Sequence, residues 1–301
     1  MSSHIKNMIT DLITTKNVIN YDKIISECEI YISNDEKTDI NFIVPVRHRF
    51  SFSKPLYDSF KNARDNVDLK ISFTIVELSA KSEHKNFCVN NGINYIWYKT
   101  KEDEPFNKCL GLNLGVFLSN KSNSFLFHDI DCLIQSDFFV KLKENINKKN
   151  AKAIQTFHGR RVLYLNQKLT NLILNGALDV DTLHFGYDGV TPPFNVGAPG
   201  GSIYIEKDLF FQIGGYDPEF FYGYAPEDIF FWKKVELFEV MHISDDPKID
   251  IFHMNHKLTS GTNPDIDKMH LIHVAFNELP ERHRKDLIKI KENAIKKFYY
   301  E

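Results

Sequence analysis

Short apolar runs rich in β-branched and aromatic residues recur through the middle of the chain and alternate with longer mixed stretches. These runs predict six strands, at residues 40–46, 71–78, 93–98, 125–130, 153–157 and 202–205. Helix-length mixtures of polar and apolar residues lie between several of them, for example at 53–66 and 106–119. This alternation is typical of βαβ units, so the sequence predicts an α/β fold with a mostly parallel central sheet flanked by helices.

Both ends of the chain differ from this middle. Residues 1–38 show helical patterning and are interpreted as an N-terminal extension before a main domain at 39–275. Residues 276–301 are basic and predict an amphipathic helix. Its apolar stripe consists of Leu287, Ile290, Ala294 and Phe298. We expect this stripe to pack on the domain; peripheral contact with an anionic membrane surface is the alternative.

Composition argues against several classes of protein. A formal net charge of -3, from 37 basic and 40 acidic residues, gives no general attraction to nucleic acid, so we expect no nucleic-acid partner. The four cysteines form no C-x-x-C pair and are too few for a disulfide framework, which predicts reduced thiols. No leader-like segment and no window near the ~20 apolar residues of a membrane span is evident, which predicts a cytoplasmic location.

Glycine and proline crowd into residues 178–201. A loop of this length inside a compact domain is more often a lid or a binding loop than a passive connector. We therefore expect this segment to border a functional site.

The fourth predicted strand delivers two carboxylates one residue apart, Asp129 and Asp131. Open α/β sheets bind ligands beyond the carboxyl ends of their strands, and hard divalent cations prefer carboxylate oxygens. The same D-x-D pattern recurs at 179–181 and 265–267, but there it follows no strand-like run. The context favours Asp129 and Asp131 as the copy that binds a metal ion and a phosphate.

Five further short motifs flank this pair. They are Pro45-Val46-Arg47-His48-Arg49, Phe106-Asn107-Lys108, Gly200-Gly201-Ser202, Gly214-Gly215-Tyr216, and an acidic segment from Tyr222 to Asp228. In this order and spacing the motifs resemble the β-1,4-galactosyltransferase family and its bacterial relatives, which are inverting nucleotide-sugar glycosyltransferases of the GT-A fold. The resemblance runs from about residue 40 to about residue 273 and implies that 39–275 is a GT-A catalytic domain.

The resemblance implies a divalent cation that bridges the diphosphate of the donor. Asp131 is expected to be a direct ligand, with Asp129 beside it near the ribose or a metal-bound water. His256 matches the family's histidine ligand, whereas His253 stands where the family has methionine. Two imidazole ligands would favour Mn²⁺, or another borderline divalent transition ion, over Mg²⁺. The alternatives are that one histidine is only structural, or that Met254 becomes a ligand through a shift of one residue.

The remaining site residues are assigned by the same resemblance. The donor nucleotide is expected at Pro45, Arg47, Arg49, Lys108, Asp129 and Asp131. The donor sugar and the acceptor are expected at Gly200, Gly201, Tyr224, Glu227 and Asp228. Without the resemblance, such arginines are more often surface charges, and any single aromatic side chain is more often part of the core than a sugar platform.

The attacking acceptor hydroxyl loses its proton, which calls for a carboxylate within hydrogen-bond reach. Asp228 is the expected base, and Glu227 is expected to bind the acceptor. In the same segment, Ala225-Pro226 replaces a glycine pair of the family, which leaves the identity of the acceptor open. The alternative role for either acid is to cap the helix that follows.

Together these assignments predict a metal-dependent, inverting glycosyltransferase. It would move galactose, glucose or one of their N-acetylated forms from a UDP-sugar to a saccharide or glycolipid acceptor, in the synthesis of a microbial surface polysaccharide. Two alternatives remain: a metal-dependent nucleotidyltransferase, which would not need the acidic segment, and a non-catalytic carbohydrate-binding protein on the same fold.

Overall fold

The structure of the protein, a computed structural model, describes residues 19–33, 36–119, 121–158, 162–191, 200–244, 249–257 and 263–299. Its helices are α1 (Tyr21–Ser26), α2 (Phe50–Asp65), α3 (Lys85–Asn91), α4 (Lys108–Leu118), α5 (Phe138–Lys149), α6 (Gln167–Leu174), α7 (Lys207–Gln212), α8 (Glu227–Val235), α9 (Ile266–Glu278) and α10 (Glu281–Ile295). Short 3₁₀ turns lie at Val180–Thr182 and Lys296–Tyr299. Its strands are β1 (Glu29–Tyr31), β2 (Thr38–Val46), β3 (Ile71–Ser79), β4 (Asn94–Lys99), β5 (Ser122–His128), β6 (Cys132–Leu133), β7 (Ala153–His158), β8 (Val162–Leu165), β9 (Val190–Thr191), β10 (Ser202–Glu206), β11 (His242–Ser244) and β12 (Ile251–His253).

Eight strands form the central sheet in the order β1-β4-β3-β2-β5-β10-β7-β11. The centre, β4-β3-β2-β5, is parallel, while β1 and β10 pair antiparallel with their neighbours. The α/β fold is thus confirmed, and all six predicted strands are present. One boundary was wrong: β5 ends at His128, so Asp129 and Ile130 already lie in the turn that follows.

A second, four-stranded sheet has the order β6-β12-β8-β9. Its strands have two to four residues, too short to produce a periodic signal in the sequence. In this sheet His253 of β12 pairs with Cys132 of β6 on one side and with Tyr164 of β8 on the other. The segment that follows Asp129 is thereby joined to the segment that carries the two predicted histidine ligands.

Helices cover both faces of the central sheet. On one face, α2 and α5 contribute Phe52, Leu56, Phe138 and Phe139 to the core, and on the other α4 lies directly over β2 and β3. The close approach of α4 depends on Gly115, because a Cβ there would lie 2.4 Å from Cγ2 of Ile43. This packing fixes the start of α4, and with it Lys108, near the carboxyl ends of the parallel strands.

The ends of the chain are integrated into this architecture more closely than expected. Residues 1–18 of the predicted N-terminal extension lie outside the described residues, but β1 pairs with β4 and extends the sheet. At the other end, Leu287 of α10 and Phe298 of the 3₁₀ turn that follows it are buried in the core, as predicted. The predicted stripe is partly wrong, since Ile288 and Ile295 are buried in place of Ile290 and Ala294. The domain boundaries themselves remain predictions.

Candidate active site

The carboxyl end of β5 and the start of β10 form one side of the candidate site. Because β10 runs antiparallel to β5, Ser202 pairs with His128. The backbone amide of Asp129 donates to the carbonyl of Gly201 at 3.1 Å. The predicted D-x-D and G-G-S motifs are therefore neighbours in space, although about seventy residues separate them in sequence.

Asp131, His253 and His256 form a group with the geometry of a metal site. Oδ2 of Asp131 lies 3.0 Å from Nε2 of His256 and 3.6 Å from Nε2 of His253. Neighbouring ligands on one cation are roughly 3 Å apart when each bond is about 2.1 Å, which these spacings match. The amide of Met254 donates to the carbonyl of Asp131 at 2.8 Å and holds the two segments together.

The hydrogen bonds of His256 also suit a metal ligand. Its Nδ1 lies 3.0 Å from the carbonyl of Lys257 and can donate to it, which directs Nε2 towards Asp131. Nε2 of His256 and Nδ1 of His253 are buried and make no hydrogen bond within the described part of the chain. Either a proton or a divalent cation between Nε2 of His256 and the carboxylate oxygen satisfies both atoms, so these residues fit a divalent metal ion.

The electrostatics of the group are those of a carboxylate surrounded by cationic and polar partners. Burial alone would raise the pKa of Asp131, but its contact with His256 and the charges of His253 and Arg49 hold that pKa well below its usual range. Contact with Asp131 raises the pKa of His256, whereas burial lowers the pKa of His253. Asp131 is therefore ionised and ready to bind a cation at neutral pH.

A second charged group surrounds the amino group of Lys108. Its Nζ lies 3.0 Å from Asp129 Oδ1, 3.2 Å from Asp228 Oδ2 and 3.7 Å from Glu227 Oε1. Burial would lower the pKa of Lys108, but the carboxylates raise it well above its ordinary value. One fixed ammonium group thus links the D-x-D turn to both acids of α8.

Polar side chains of α4 place those acids. Asn107 caps α4 by accepting from Leu110, and its amide group donates to the carbonyl of Pro218 at 2.8 Å. Asn113 bonds both the amide and the carbonyl of Tyr216, at 2.9 and 3.0 Å. Helix α4 therefore anchors the stretch of chain that leads into α8 and brings Asp228 to Lys108.

Asp228 and Glu227 lie in the first turn of α8, but neither is its cap. The N-cap residue is Pro226, and no side chain forms a capping hydrogen bond, so the alternative structural role is wrong. Burial raises the pKa of Glu227 to about 8, with the charge of Asp228 adding to the rise. Burial also raises the pKa of Asp228, against the opposing effect of Lys108. A buried carboxylate with a raised pKa has the properties of a general base.

Gly200 allows Asp228 to approach the turn before β10. A Cβ at position 200 would lie 2.0 Å from Oδ2 of Asp228. Gly200→Ala is therefore expected to displace the carboxylate and to lower kcat about tenfold or more, because a ~1 Å misplacement near reacting groups can cost ~10²-fold. The rate of transfer and the thermal unfolding midpoint should be measured together.

Gly92→Ala is the matched control for this substitution. Nothing lies within 4 Å of a Cβ at position 92, but φ there is +64°, so alanine should cost stability and leave kcat unchanged. If Gly200→Ala left kcat unchanged, Asp228 would not need the position in which it is found.

Other residues that the sequence singled out have different surroundings. The guanidinium of Arg47 bonds the carbonyl of Leu78 at 2.9 Å and Oγ1 of Thr100 at 2.8 Å, and so holds neighbouring segments together. Tyr224 is 76% exposed, which suits a platform for a ligand from solvent. Met254 is fully buried in the core, which argues against the alternative of a thioether ligand.

Two tyrosines lie near the site although no pattern in the sequence predicted their positions there. The ring of Tyr164 lies 4.9 Å from the ring of His253 and is partly exposed in β8. The hydroxyl of Tyr216 donates to Oδ1 of Asp228 at 3.4 Å. Tyr216 lies in the predicted G-G-Y motif, but only the fold shows that it reaches the acid.

Comparison with known proteins places the chain in a family. Residues 43–254 match the model of the family described as glycosyltransferase like family 2. No protein of curated function matches the sequence. None of the helices in the described ranges is long and apolar enough to cross a membrane.

Similar solved structures share little sequence with this chain. S. aureus TarS in complex with UDP-GlcNAc is 15% identical, with a TM-score of 0.54 over 86% of this chain and 73% of TarS. GalNAc-T7 with UDP, GalNAc and Mn²⁺ is 12% identical, with a TM-score of 0.52 over 88% of this chain and 57% of that protein. Drosophila β1,4-galactosyltransferase 7 with xylobiose is 13% identical, with a TM-score of 0.45 over 74% and 76%.

The family match covers well over half of the chain, and the structural likeness confirms the GT-A fold that the motifs implied. The chain belongs to the glycosyltransferase family 2-like family and is a glycosyltransferase of the GT-A fold.

Proposed function

We propose that this glycosyltransferase is metal-dependent and inverting, and that it transfers a hexose or an N-acetylhexosamine from a UDP-sugar to a saccharide or glycolipid hydroxyl. The observation that carries the proposal is that a possible metal site and a pair of buried acids lie close together. Asp131, His253 and His256 converge as one group of possible metal ligands, and a buried acid pair on α8 lies against Gly200 and is joined to Asp129 through Lys108. One site suits a diphosphate with its cation, and the other suits an attacking hydroxyl.

Asp131, His253 and His256 would hold the divalent cation, which when bound neutralises the charge that develops on the leaving diphosphate. Two imidazole nitrogens and one carboxylate oxygen favour Mn²⁺ over Mg²⁺. Asp129 lies between this group and Lys108, where it would orient the nucleotide together with the ammonium. Pro45, Arg47 and Arg49 remain the predicted nucleotide contacts at the end of β2.

Asp228 would take the proton of the acceptor hydroxyl as its oxygen attacks the anomeric carbon. The new C–O bond forms while the bond to the diphosphate breaks, so the configuration inverts in one displacement. Glu227 and Tyr224 would bind the acceptor. Burial raises the pKa of Glu227, which favours its protonated form, and a protonated carboxyl can donate to a sugar oxygen.

The choice of a UDP-sugar is supported by the motifs and by structures of the same fold, since TarS was solved with UDP-GlcNAc and GalNAc-T7 with UDP and GalNAc. A cytoplasmic role in microbial surface polysaccharide remains part of the proposal. Membrane contact through α10 receives no support, because Leu287, Ile288 and Ile295 of this helix pack into the core.

The test is a donor screen with the purified protein. Each UDP-hexose and UDP-N-acetylhexosamine is incubated with Mn²⁺ and a panel of saccharide and glycolipid acceptors, and UDP release and product mass are recorded. We expect UDP release with one or a few donors and a product of inverted anomeric configuration by NMR. Release of pyrophosphate from UTP and a sugar 1-phosphate would indicate the nucleotidyltransferase instead. Binding without turnover would indicate the carbohydrate-binding alternative.

A further inference from the structure

The guanidinium of Arg49 contacts the oxygen around which the metal group is built. Its Nη1 pairs with Oδ2 of Asp131, the same oxygen that faces His253 and His256. A metal ion bound to this oxygen and a guanidinium in contact with it would repel each other strongly, because little water is present to screen the charges. Arg49 and a metal ion are therefore competitors for Asp131.

The two partners differ in their access to solvent. The side chain of Asp131 is 6% exposed, whereas that of Arg49 is 30% exposed. The carboxylate is thus fixed, and the guanidinium can leave it without crossing the core. In any exchange of partners at this position, Arg49 is the group that moves.

The backbone shows that the contact is built into the turn after β2. His48 and Arg49 have φ of +57° and +58°. These values lie in the left-handed region, which residues other than glycine and asparagine seldom adopt. Arg49 is the N-cap residue of α2 but makes no side-chain capping hydrogen bond. Two successive residues in this region carry a conformational cost, and the turn that they form presents Arg49 to Asp131.

A guanidinium also matches the oxygens of a diphosphate, which it can bind through two parallel hydrogen bonds. We propose that Arg49 is an exchangeable counter-ion of Asp131: it neutralises this carboxylate until a divalent cation binds, and it is then released to bind the donor diphosphate. Metal binding and diphosphate binding would strengthen each other. A bound metal ion displaces Arg49 from Asp131 and so frees the guanidinium for the diphosphate. A bound diphosphate holds Arg49 away from Asp131 and so frees the carboxylate for the metal ion. The inference rests on the proposed metal site and adds this coupling to it.

The test is the affinity for Mn²⁺ in the absence of nucleotide, measured from the electron paramagnetic resonance signal of free Mn²⁺. Arg49→Asn removes the competitor, and asparagine tolerates the left-handed backbone. It is expected to bind Mn²⁺ about tenfold more tightly than the wild type, within the usual range of coupling between sites. Arg49→Lys keeps a cation and should stay close to the wild type. Arg64→Gln removes the same charge from the far end of α2, where Arg64 pairs with Asp65, and should change nothing.

A second measurement repeats the titrations with saturating UDP. The factor by which UDP tightens Mn²⁺ binding should be smaller in Arg49→Asn than in the wild type. Mn²⁺ binding by a folded Arg49→Asn protein that is equal to or weaker than that of the wild type would overturn the counter-ion role and leave the metal site intact. If the wild type bound no Mn²⁺ at all, the metal site of the proposed function would fail, and the exchange would fail with it.

Discussion

Asp228→Asn is expected to lower kcat by about 10²- to 10⁴-fold, the usual contribution of a general base. Asparagine keeps the shape of the side chain but cannot accept the proton of the acceptor hydroxyl. Because burial raises the pKa of Asp228, wild-type kcat should fall as the pH falls through a value above that of an ordinary carboxylate. This decline at low pH should be absent from the residual activity of the variant. The measurement is the rate of UDP release at saturating donor and acceptor over a range of pH.

Two further variants define what the result means. Asp267→Asn makes the same chemical change at an exposed position of α9, within another copy of the D-x-D pattern, and should leave kcat unchanged. Glu227→Gln should raise the KM for the acceptor more than it lowers kcat, since Glu227 is expected to bind the acceptor. A fully active Asp228→Asn protein would assign proton removal to another group, and Glu227 would be the first to test.

Lys108 explains why Asp228 must be studied together with its neighbours. The ammonium contacts Asp129, Glu227 and Asp228 at once, so the loss of one carboxylate changes the field at the other two. For the same reason Asp129→Asn and Asp228→Asn are not expected to have additive effects on kcat. The sequence predicted that Lys108 contacts the donor nucleotide. The structure shows that Lys108 also contacts Glu227 and Asp228 of α8.

The central strands were predictable because they depend on local pattern, and the same pattern is the basis for preferring one of the three D-x-D copies, which stays a prediction. A run of apolar residues before Asp129 marks a buried strand, and the end of a parallel strand is where ligands bind. The order of the motifs then linked Asp131 to His256 without any knowledge of distance. The structure brings these two side chains to 3.0 Å.

What the sequence could not reveal depends on pairing between distant short segments. Strands β6, β8 and β12 are too short for a periodic signal, yet their pairing sets His253 beside Cys132 and Tyr164. The contact of Arg49 with Asp131 depends on two left-handed residues that are neither glycine nor asparagine, so no turn residue marked them. Strand β1 was hidden in the same way within a stretch of helical pattern.

Asp131→Asn is expected to weaken Mn²⁺ binding by more than about 100-fold and to abolish measurable transfer, since even loss of a partner outside the ligand set can cost 10- to 100-fold in metal affinity. An asparagine oxygen carries no full charge, so the cation loses its anionic ligand. Mn²⁺ affinity is measured without nucleotide, so this result does not depend on turnover. Circular dichroism shows whether the variant is folded, and Asp267→Asn again serves as the control.

Variants of His256 and Cys132 decide between two arrangements of ligands around the cation. In the described part of the chain, three side chains converge either as Asp131 with His253 and His256, or as Asp129 with Asp131 and Cys132. Both groups contain Asp131, so undiminished Mn²⁺ affinity in Asp131→Asn would exclude both. If affinity is lost, His256→Asn and Cys132→Ser separate them: the histidine change should weaken Mn²⁺ binding and the cysteine change should not.

Burial and the charges of Asp131 and Asp129 raise the pKa of the Cys132 thiol well above its ordinary value. The thiolate that a metal ion needs is thereby disfavoured, whereas Nε2 of the His256 imidazole already faces Asp131 at 3.0 Å.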